Sequence, residues 1–375
     1  MTDLSFYYDK ITITKPDLPE LDQFVEQLKI IWDNKWLTNN GPFHDKLESA
    51  LAEYLGVPYV SLFCNGTIAL QTALKALKIS GEVITTPFTF PATVHSIFWN
   101  QCEPVFCDIS PESFSLDPDR IEPLITSKTT AIIPCHVYGK PSDTKSIQAL
   151  ADKFGLKVIY DAAHAFGIFP KQSGKDVWGD ISMLSFHATK VFNTIEGGAL
   201  IMHDKAQKER VDYLKNFGIA GEELIVGEGI NGKMNEICAA FGLLQLLHVD
   251  EQIQKRQLLD ARYRHNLEGI RGIDIPQIGN WYKPNFSYFP IFITDDFPVS
   301  VEKVQKRLAQ FNIYGRRYFY PLVSQAPCYR TLPSANPALL PVATEVSSRV
   351  FCLPLYSGLS TTDIDYICSI ITGCN

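Results

Sequence analysis

The feature that most constrains the fold is an alternation of short apolar runs with helical stretches between about residues 59 and 203. Two of the runs, AIIPCHV and KVIYD, are nearly continuously apolar, which is typical of strands covered on both faces. Strands that alternate with helices predict a mainly parallel sheet in a three-layer α/β domain. The predicted strands are Val83–Thr86, Pro104–Cys107, Ala131–His136, Val158–Tyr160, Ile181–Phe186 and Ala199–Met202, and two predicted helices are Thr67–Leu77 and Thr144–Phe154.

The last third of the chain has a different pattern, which predicts a second, smaller domain. Ser360 and Asp363 have the spacing of a capping box, so a last helix is expected to begin there. The other elements predicted in this part are one long charged helix over Gln245–Glu268 that joins two domains, a strand over Tyr288–Ile293 and a helix over Val301–Phe311. We therefore expect a large domain over residues 1–249 and a smaller α+β domain over residues 250–375.

Composition and charge exclude several classes of protein. The 375 residues are 46% hydrophobic and 20% charged, with a net charge of −7, which argues against a general nucleic-acid binder. No stretch reaches the ~18–20 apolar residues that span a bilayer, and Met1–Lys15 lacks the apolar region of a secretory signal. The nine cysteines are scattered and contain no C-x-x-C pair. We predict a reduced, cytoplasmic protein with no metal site and no nucleic-acid or membrane partner.

Two charged residues follow predicted strands. Lys190 comes a few residues after ISMLSF, at the edge where parallel sheets bind ligands, and enclosure there would make it a usable nucleophile. The alternative is a solvated loop lysine. Asp161 ends the run KVIYD and, if buried, needs a cationic or hydrogen-bonding partner. Its alternative is an N-cap of a helix over AAHAFG.

Smaller signals surround these two residues. Gly66 and Thr67 follow Asn65 at the start of a helix, where backbone N–H groups suit a phosphate, although Asn and Thr are also ordinary helix caps. The hydroxyl of Ser185 is placed to join them or to bond backbone. Phe90 is either a ring-stacking aromatic or a core residue. The remaining signals are His164 and His187, which are polar contacts or structural histidines, and the glycines after Glu196, which indicate a close backbone approach.

Together these residues are the parts that a pyridoxal 5'-phosphate (PLP) enzyme needs. They provide a lysine for covalent attachment, an acid for the pyridine nitrogen, a phosphate cup and a stacking ring. The acid matters because PLP withdraws electrons only while its ring nitrogen stays protonated.

The chain also resembles a known family, the DegT-type nucleotide-sugar aminotransferases, which are PLP enzymes of fold type I. The resemblance extends over almost the whole chain, from WLTNNGPFHDKLESALAEYLG to YPLVSQAPCY. The stretches that carry it are CNGTIALQTAL, TPFTFPATVHSI, PVFCDISPESFSLDPDRIE, YDAAHAFG, SFHATKVFNTIEGG and GINGKMNEICAAFG.

The resemblance implies a role for each matching residue. Lys190 would bind the cofactor covalently and act as general base, while Asp161 would pair with the pyridine nitrogen. Asn231 would reach the phosphate from the neighbouring subunit, which implies a homodimer with shared active sites. The further PLP contacts implied are Gly66, Thr67, Phe90, His164 and Ser185, and the substrate contacts proposed beside them are His187, Glu196, Arg316, Arg317 and Tyr320.

Two departures from the family pattern concern the substrate side. The usual D-A-A-Q reads D-A-A-H, so His164 replaces a glutamine near the 3'-oxygen of the cofactor. The common Y-x-P-L-H reads YPLVS, so the histidine expected there is absent. Some sugar dehydratases of this fold replace the lysine by histidine, whereas this chain keeps Lys190, which favours transamination.

The stretches LTNNGP, TPFTFPAT and SFHATKVFNT are similar to the branch that acts at C4 of a dTDP-linked 4-keto-6-deoxyhexose. The expected reaction transfers the amino group of L-glutamate through pyridoxamine phosphate to dTDP-4-dehydro-6-deoxy-D-glucose, for O-antigen or another glycan. The alternatives are the same chemistry on a UDP-linked or 3-keto sugar and, from another class, a PLP-binding regulator without turnover. A regulator of that kind would carry a DNA-binding domain, and no such segment is evident.

Overall fold

The computed structural model describes residues 10–170 and 178–373, so the start of the predicted polar N-terminal segment and Cys374 lie outside the described residues. The described strands are β1 (Ile11–Thr12), β2 (Tyr59–Phe63), β3 (Glu82–Thr85), β4 (Glu103–Phe106), β5 (Thr129–Ile133), β6 (Lys157–Asp161), β7 (Phe169–Pro170), β8 (Ile181–Ser185), β9 (Gly198–Met202), β10 (Ile219–Gly221), β11 (Leu224–Ile225), β12 (Ile273–Asp274), β13 (Tyr282–Lys283), β14 (Phe289–Ile293), β15 (Ile313–Tyr314) and β16 (Val350–Leu353).

The described α-helices are α1 (Leu21–Asn34), α2 (Pro42–Leu55), α3 (Gly66–Ala76), α4 (Pro91–Trp99), α5 (Thr144–Phe154), α6 (Lys205–Lys215), α7 (Glu236–Leu246), α8 (Val249–Leu267), α9 (Val301–Gln310), α10 (Pro341–Arg349) and α11 (Thr361–Thr372). None of the helices in the described ranges combines the length and the apolar character that crossing a membrane requires.

Seven strands form the central sheet, in the order β2–β9–β8–β6–β5–β3–β4. Strands β4, β3, β5, β6 and β8 pair in parallel, which confirms the predicted sheet, and each predicted strand overlaps an observed one. The exception is β9, which runs antiparallel to both β8 and β2. The chain returns from β8 to β9 without a crossover helix, and a direct return of this kind produces an antiparallel neighbour. Strand β5 ends earlier than predicted because Pro134 follows it and has no N–H to donate to a ladder.

Helices cover both faces of this sheet, as predicted for three layers. On one face Ile133 and Ile159 belong to the same buried cluster as Leu70 and Leu74 of α3. On the other face the buried cluster contains Ile132 and Val158 of the sheet with Ile147 and Ala151 of α5. Because both faces are covered, the carboxyl ends of the strands are the edge left open for a ligand.

The long charged helix predicted over Gln245–Glu268 is present as α8, but it begins later than predicted. The structure ends α7 at Leu246 and begins α8 at Val249. The two helices pack on different partners, because α7 contacts α1 and α2 whereas α8 contacts α11. The break lets the chain change direction between these two packing surfaces.

The C-terminal part contains a second, antiparallel sheet of β12, β14 and β16. The predicted start of α11 is confirmed, since the Ser360 side chain accepts from the Asp363 N–H and the Asp363 carboxylate accepts from the Ser360 N–H. Strand β1 pairs in parallel with β15, so the N-terminal segment contacts this part of the chain. The domain boundary between residues 249 and 250 stays a prediction.

A cluster of charged side chains anchors strand β2 to the neighbouring helices. Lys215, which is 0% exposed, donates to Glu48 Oε1 at 3.1 Å and to Ser61 Oγ at 2.9 Å. Glu48 Oε1 also accepts from the Leu62 N–H at 2.9 Å. Burial opposes the charged form of Glu48, but attraction by Lys215 and Lys208 outweighs it and lowers the pKa of Glu48 to about 2. The cluster ties α2 and α6 to β2, whose end leads directly into α3.

We expect Glu48→Gln to lower the free energy of unfolding at pH 7 by about 2 kcal/mol, because buried Lys215 loses one charged partner and keeps Asp212. Because the folded pKa of Glu48 lies below its ordinary value of 4.5, this contribution is complete above that pH and is lost as the pH falls toward 2. Urea unfolding at several pH values measures the difference. The control is Glu26→Gln, whose partner Lys29 is exposed and whose effect should stay below ~0.5 kcal/mol. A difference that does not shrink between pH 5 and pH 3.5 would contradict this account.

Candidate active site

A cleft of about 370 Å³ lies at the carboxyl edge of the central sheet. Its size fits a small-molecule site, and parallel sheets bind ligands at this edge. The strands β6 and β8 end here in Asp161 and Ser185, and α3 begins here after β2. The predicted site residues that line the cleft are Gly66, Thr67, Phe90, Asp161, His164, Ser185, His187, Lys190, Glu196 and Arg316.

Asp161 is a buried acid with its oxygens aimed at hydrogen-bond donors. It is 4% exposed, its Oδ2 accepts from Thr93 Oγ1 at 2.6 Å and its Oδ1 accepts from the Ala163 N–H at 3.1 Å. Burial raises the pKa of Asp161, and the two hydrogen bonds and the Lys190 charge only partly oppose the rise. No helix begins at Asp161, so the N-cap alternative is wrong.

Lys190 is half-buried, so the alternative of a freely solvated lysine is also wrong. Burial lowers the pKa of Lys190, while the negative charge of Asp161 acts in the opposite direction. Its Nζ donates to the hydroxyl of Tyr288 at 3.4 Å. An amine with a lowered pKa is deprotonated more often at neutral pH, which is the form that acts as nucleophile and base.

The start of α3 forms a cup with free donors. Asn65 is its N-cap, and its side chain accepts from the Ile68 N–H at 2.8 Å. Within the described residues the N–H groups of Gly66 and Thr67 have no hydrogen-bond partner and remain available to an anion. A Cβ on Gly66 would lie 2.9 Å from Met183 Sδ and 3.3 Å from Ser185 Cβ, so the cup has no space for a side chain there.

Backbone also closes this cup from the side of β9. A Cβ on Gly198 would lie 2.7 Å from the Gly66 nitrogen, a distance that real Cβ atoms do not adopt. The predicted close approach after Glu196 is therefore confirmed, and the start of α3 is the bulky neighbour.

Aromatic rings form the walls of the cleft. Phe90 is 57% exposed, so the alternative of a core phenylalanine is wrong and its ring is free to stack on a ligand. His164 is 7% exposed, and its ring lies parallel to Phe319 at 6.0 Å between centroids. Its Nδ1 accepts from the Tyr138 N–H at 3.2 Å, and burial lowers its pKa well below the ordinary value. The neutral ring therefore carries its proton on Nε2.

Three charged or polar groups stand at the mouth. His187 Nε2 lies 3.5 Å from Glu196 Oε1, and its Nδ1 lies 2.8 Å from Thr189 Oγ1. The exposed guanidinium of Arg316 has no carboxylate partner among the described residues. A free guanidinium at the mouth suits a carboxylate or a pyrophosphate.

The structure does not bring three predicted residues into the cleft. Arg317 donates to Glu302 Oε1 at 2.7 Å and stacks on the ring of Tyr320, with 3.7 Å from its guanidinium carbon to the ring centroid. These contacts hold the Arg317 guanidinium away from the cleft, and Tyr320 does not line it, so a contact of either residue with the substrate stays a prediction. Asn231 is exposed and forms a β-bridge with Asn216. Within one chain it does not line the cleft.

Two residues that hold the reactive groups were not predicted from the sequence. Thr93 lies on α4 and donates to Asp161; Pro91 indicates where that helix begins, but the bond joins residues 68 positions apart in the chain. Tyr288 contacts Lys190 from the C-terminal part of the chain, and no local motif announces that long-range contact.

The site fits PLP on three observations. Asp161 is a buried carboxyl without a salt bridge in the described residues, and a protonated pyridine nitrogen would supply the missing cation. The free N–H groups of Gly66 and Thr67, beside the Ser185 hydroxyl, suit the phosphate. Lys190 lines the same cleft, and burial lowers its pKa.

Comparisons with known proteins agree with this geometry. Residues 20–372 match the family model of the DegT/DnrJ/EryC1/StrS aminotransferases. The dTDP-4-amino-4,6-dideoxy-D-glucose transaminase of Escherichia coli is 49% identical over 366 residues, which are 97% of this chain and 98% of that protein. The protein of the same name from Shigella dysenteriae is 50% identical over 361 residues, 96% of this chain and 98% of its own.

Solved structures agree as well. DesI, crystallised in the presence of its TDP-sugar product, has a TM-score of 0.93 and 31% identity with this chain, covering 98% of this chain and 93% of its own. The fold class predicted from the sequence, a large three-layer α/β domain with a mainly parallel sheet, is thereby confirmed.

We expect Thr93→Val to weaken cofactor binding about ten- to a hundredfold, because hydrogen bonds to charged groups contribute ~1.5–3 kcal/mol and Asp161 loses one. Losing that donor also raises the pKa of Asp161 further. As the pH is lowered, Asp161 should therefore become neutral, and PLP binding should be lost, at a higher pH in the variant than in the wild type. Absorbance titrations with PLP across pH measure both effects.

Two further variants serve as a control and as a second test of the role of Asp161. Thr72→Val removes a buried hydroxyl that donates to the Ile68 carbonyl on α3, outside the cleft, and should leave the titration unchanged. Asp161→Asn should bind PLP but turn over far more slowly, since an amide cannot hold the pyridinium charge. Wild-type titrations for Thr93→Val, or wild-type turnover for Asp161→Asn, would reject the role assigned to the acid.

Proposed function

This chain belongs to the DegT/DnrJ/EryC1/StrS aminotransferase family, and we propose that it transfers the amino group of L-glutamate to C4 of a dTDP-linked 4-keto-6-deoxyhexose. The proposed acceptor is dTDP-4-dehydro-6-deoxy-D-glucose, and the product is dTDP-4-amino-4,6-dideoxy-D-glucose. The observation that carries this choice is identity of 49% and 50%, over nearly full length, to two transaminases named for that product. We propose that the product serves O-antigen or another glycan and that the enzyme works in the cytoplasm.

The cofactor of this family is PLP, which supplies an aldehyde for the amino group and a ring that withdraws electrons from the bond being broken. We assign Lys190 to covalent attachment and Asp161 to the ring nitrogen. The N–H groups of Gly66 and Thr67 and the hydroxyl of Ser185 would bind the phosphate, and Phe90 would stack on the ring. His164 would offer its Nε2–H as a donor to the cofactor.

Lys190 handles the proton in both halves of the reaction. Burial lowers the pKa of Lys190, so its free amine would take the proton from the α-carbon of the donor and pass it to the cofactor in the first half-reaction. In the second half-reaction it would take a proton from the cofactor and deliver it to the acceptor carbon. The carboxylate of Asp161 is itself held in a fixed orientation, since Thr93 and the Ala163 N–H each donate to one of its oxygens. The same pair of residues thus serves two substrates that enter in turn.

Arg316 is the candidate for the anionic groups of both substrates. Its guanidinium stands at the mouth, where a glutamate carboxylate or a sugar pyrophosphate would arrive. His187 and Glu196 lie on the same rim and offer polar contacts to the sugar. These contacts are exposed, which suits groups that must release one substrate before the next one binds.

We further propose a homodimer in which each chain completes the site of the other. The segment over residues 217–230 exposes several large apolar side chains, which a partner would cover. They are Phe217, Ile219, Leu224, Ile225, Val226 and Ile230. Asn231 follows this segment directly, so a partner that covers it would meet Asn231 as well.

The experiment that tests the reaction is an assay of the purified enzyme with L-glutamate against a panel of nucleotide keto-sugars. We expect at least tenfold higher kcat/KM for the dTDP-linked 4-keto-6-deoxy-D-glucose than for UDP-linked or 3-keto sugars. Product mass and the position of the new amine, determined by NMR, identify the reaction.

Lys190→Ala is the matched control for this assay. It should lose the visible absorbance band of the lysine-bound cofactor, the borohydride-reducible adduct and the activity with every sugar. A higher kcat/KM with a UDP-linked or a 3-keto sugar would overturn the proposed substrate, and a reducible adduct retained in Lys190→Ala would overturn the assignment of the lysine.

Mixed dimers test the shared site. Asn231→Ala should bind PLP about ten- to a hundredfold more weakly, since one hydrogen bond to a charged phosphate contributes ~1.5–3 kcal/mol. Inactive Lys190→Ala chains are combined with Asn231→Ala chains at low PLP. If Asn231 acts across the interface, a mixed dimer contains one intact site, and activity should rise above that of either parent.

The alternative arrangement gives a different result. If Asn231 acts within its own chain, each site of a mixed dimer carries one defect and no activity returns. Native mass spectrometry establishes that mixed dimers have formed. Their presence without recovery would rule out the contact across the interface.

A further inference from the structure

Tyr288 stands where the C-terminal part of the chain meets the cleft. It directly precedes β14, and its hydroxyl accepts from Lys190 Nζ at 3.4 Å. Among the described residues this is the one hydrogen bond of the Lys190 amine. Tyr288 is only 8% exposed, so little water competes for the same contact.

Aromatic contacts on three sides fix the ring of Tyr288. Its centroid lies 4.7 Å from the ring of His164, 5.4 Å from Tyr318 and 6.2 Å from Tyr138. Close packing of this kind leaves few rotamers to a buried side chain. The hydroxyl therefore occupies a defined position relative to Lys190.

Hydrogen bonds attach the backbone before Tyr288 to the loop that follows Asp161. Asn285 Nδ2 donates to the carbonyls of His164 and Phe166, each at 2.9 Å, and Ser287 Oγ donates to the His164 carbonyl at 2.7 Å. Asn285 and Ser287 are both buried, so these bonds are not shared with solvent. The position of Tyr288 is thus set by the same loop that presents the acid and the histidine of the site.

We propose that Tyr288 is a positioning residue whose hydroxyl holds the free amine of Lys190 in reach of the reacting carbon whenever that amine is not bonded to the cofactor. The proposal rests on the proposed function, because it takes Lys190 as the lysine that is bonded to the cofactor and then freed. A long lysine side chain released in a cleft has many rotamers, and one fixed hydrogen bond selects among them.

The chemistry of the two groups suits this role. Burial raises the pKa of Tyr288, so the phenol keeps its proton at neutral pH. A hydroxyl accepts from an ammonium and donates to a neutral amine, so it follows Lys190 through both protonation states without losing its own proton. Tyr288 therefore orients the base and leaves the proton transfer to Lys190.

Tyr288→Phe keeps the ring and removes the hydroxyl, and the pyridoxamine form of the holoenzyme has Lys190 free. Competitive acetylation of Lys190 across pH, followed by peptide mass spectrometry, measures its protonation. We expect the midpoint of labelling to move to lower pH in the variant, because the ammonium loses its acceptor. Stopped-flow absorbance with L-glutamate should give a half-reaction about tenfold slower, with cofactor loading unchanged.

Tyr263→Phe is the matched control. Its hydroxyl donates to the Pro354 carbonyl at 2.9 Å, and its ring stacks on Phe289, the residue after Tyr288, at 4.6 Å between centroids. This variant loses a buried hydroxyl beside the same strand without touching the cleft, so its labelling profile should match the wild type. An equal shift in Tyr263→Phe would assign the effect to packing and overturn the proposal.

Failure of this proposal differs visibly from failure of the proposed function. If Tyr288 has no such role, the wild type is active and Tyr288→Phe has the same labelling midpoint, which overturns the proposal whatever the rate. If the proposed function fails, the wild-type enzyme itself does not react with glutamate or does not accept the dTDP-linked sugar.

Discussion

The removal of Lys190 and Asp161 from water at one edge of the central sheet is the interaction on which the rest of the site depends. Burial favours the neutral form of each group, lowering the pKa of the lysine and raising that of the acid. Their opposite charges resist this trend without cancelling it. In the proposed reaction a protonated ring nitrogen beside Asp161 would restore the charge of the acid, and the free amine of Lys190 would act as a base. We therefore propose that this one desolvated pair contributes both to cofactor binding and to reactivity.

Sheet topology makes this pairing possible, because β6 and β8 are parallel neighbours whose carboxyl ends deliver Asp161 and the loop of Lys190 to the same edge. The antiparallel return of β9 then brings Gly198 against Gly66. Without side chains on these two glycines, backbone closes the phosphate cup and leaves its N–H groups facing the cleft. The cost of burying so many polar groups is met by hydrogen bonds from Thr93, Asn285 and Ser287.

Local chemistry explains which parts of the fold and site were predictable from the sequence. The parallel strands and the capped start of α11 follow from apolar runs and from Ser360 and Asp363, so these were predicted correctly. The break between α7 and α8 depends on which surfaces the two helices find, and nothing in the charged run Gln245–Glu268 encodes it. The roles of Thr93 and Tyr288 were not predicted for the same reason, since each side chain contacts a residue distant in sequence. The ion pair of Arg317 with Glu302 likewise depends on tertiary packing and not on local sequence.

The two halves of the cleft differ in how firmly they are built, and this difference matches the order of events in transamination. Asp161, Gly66 and His164 are buried and held by hydrogen bonds or close backbone contacts, as a resident cofactor requires. Phe90, His187, Glu196 and Arg316 are exposed at the mouth, where two substrates of different shape must bind and leave in turn. A rigid mouth fitted to one substrate would exclude the other. We therefore propose that discrimination among sugar nucleotides depends on the exposed rim, whereas the chemistry depends on the buried part of the site.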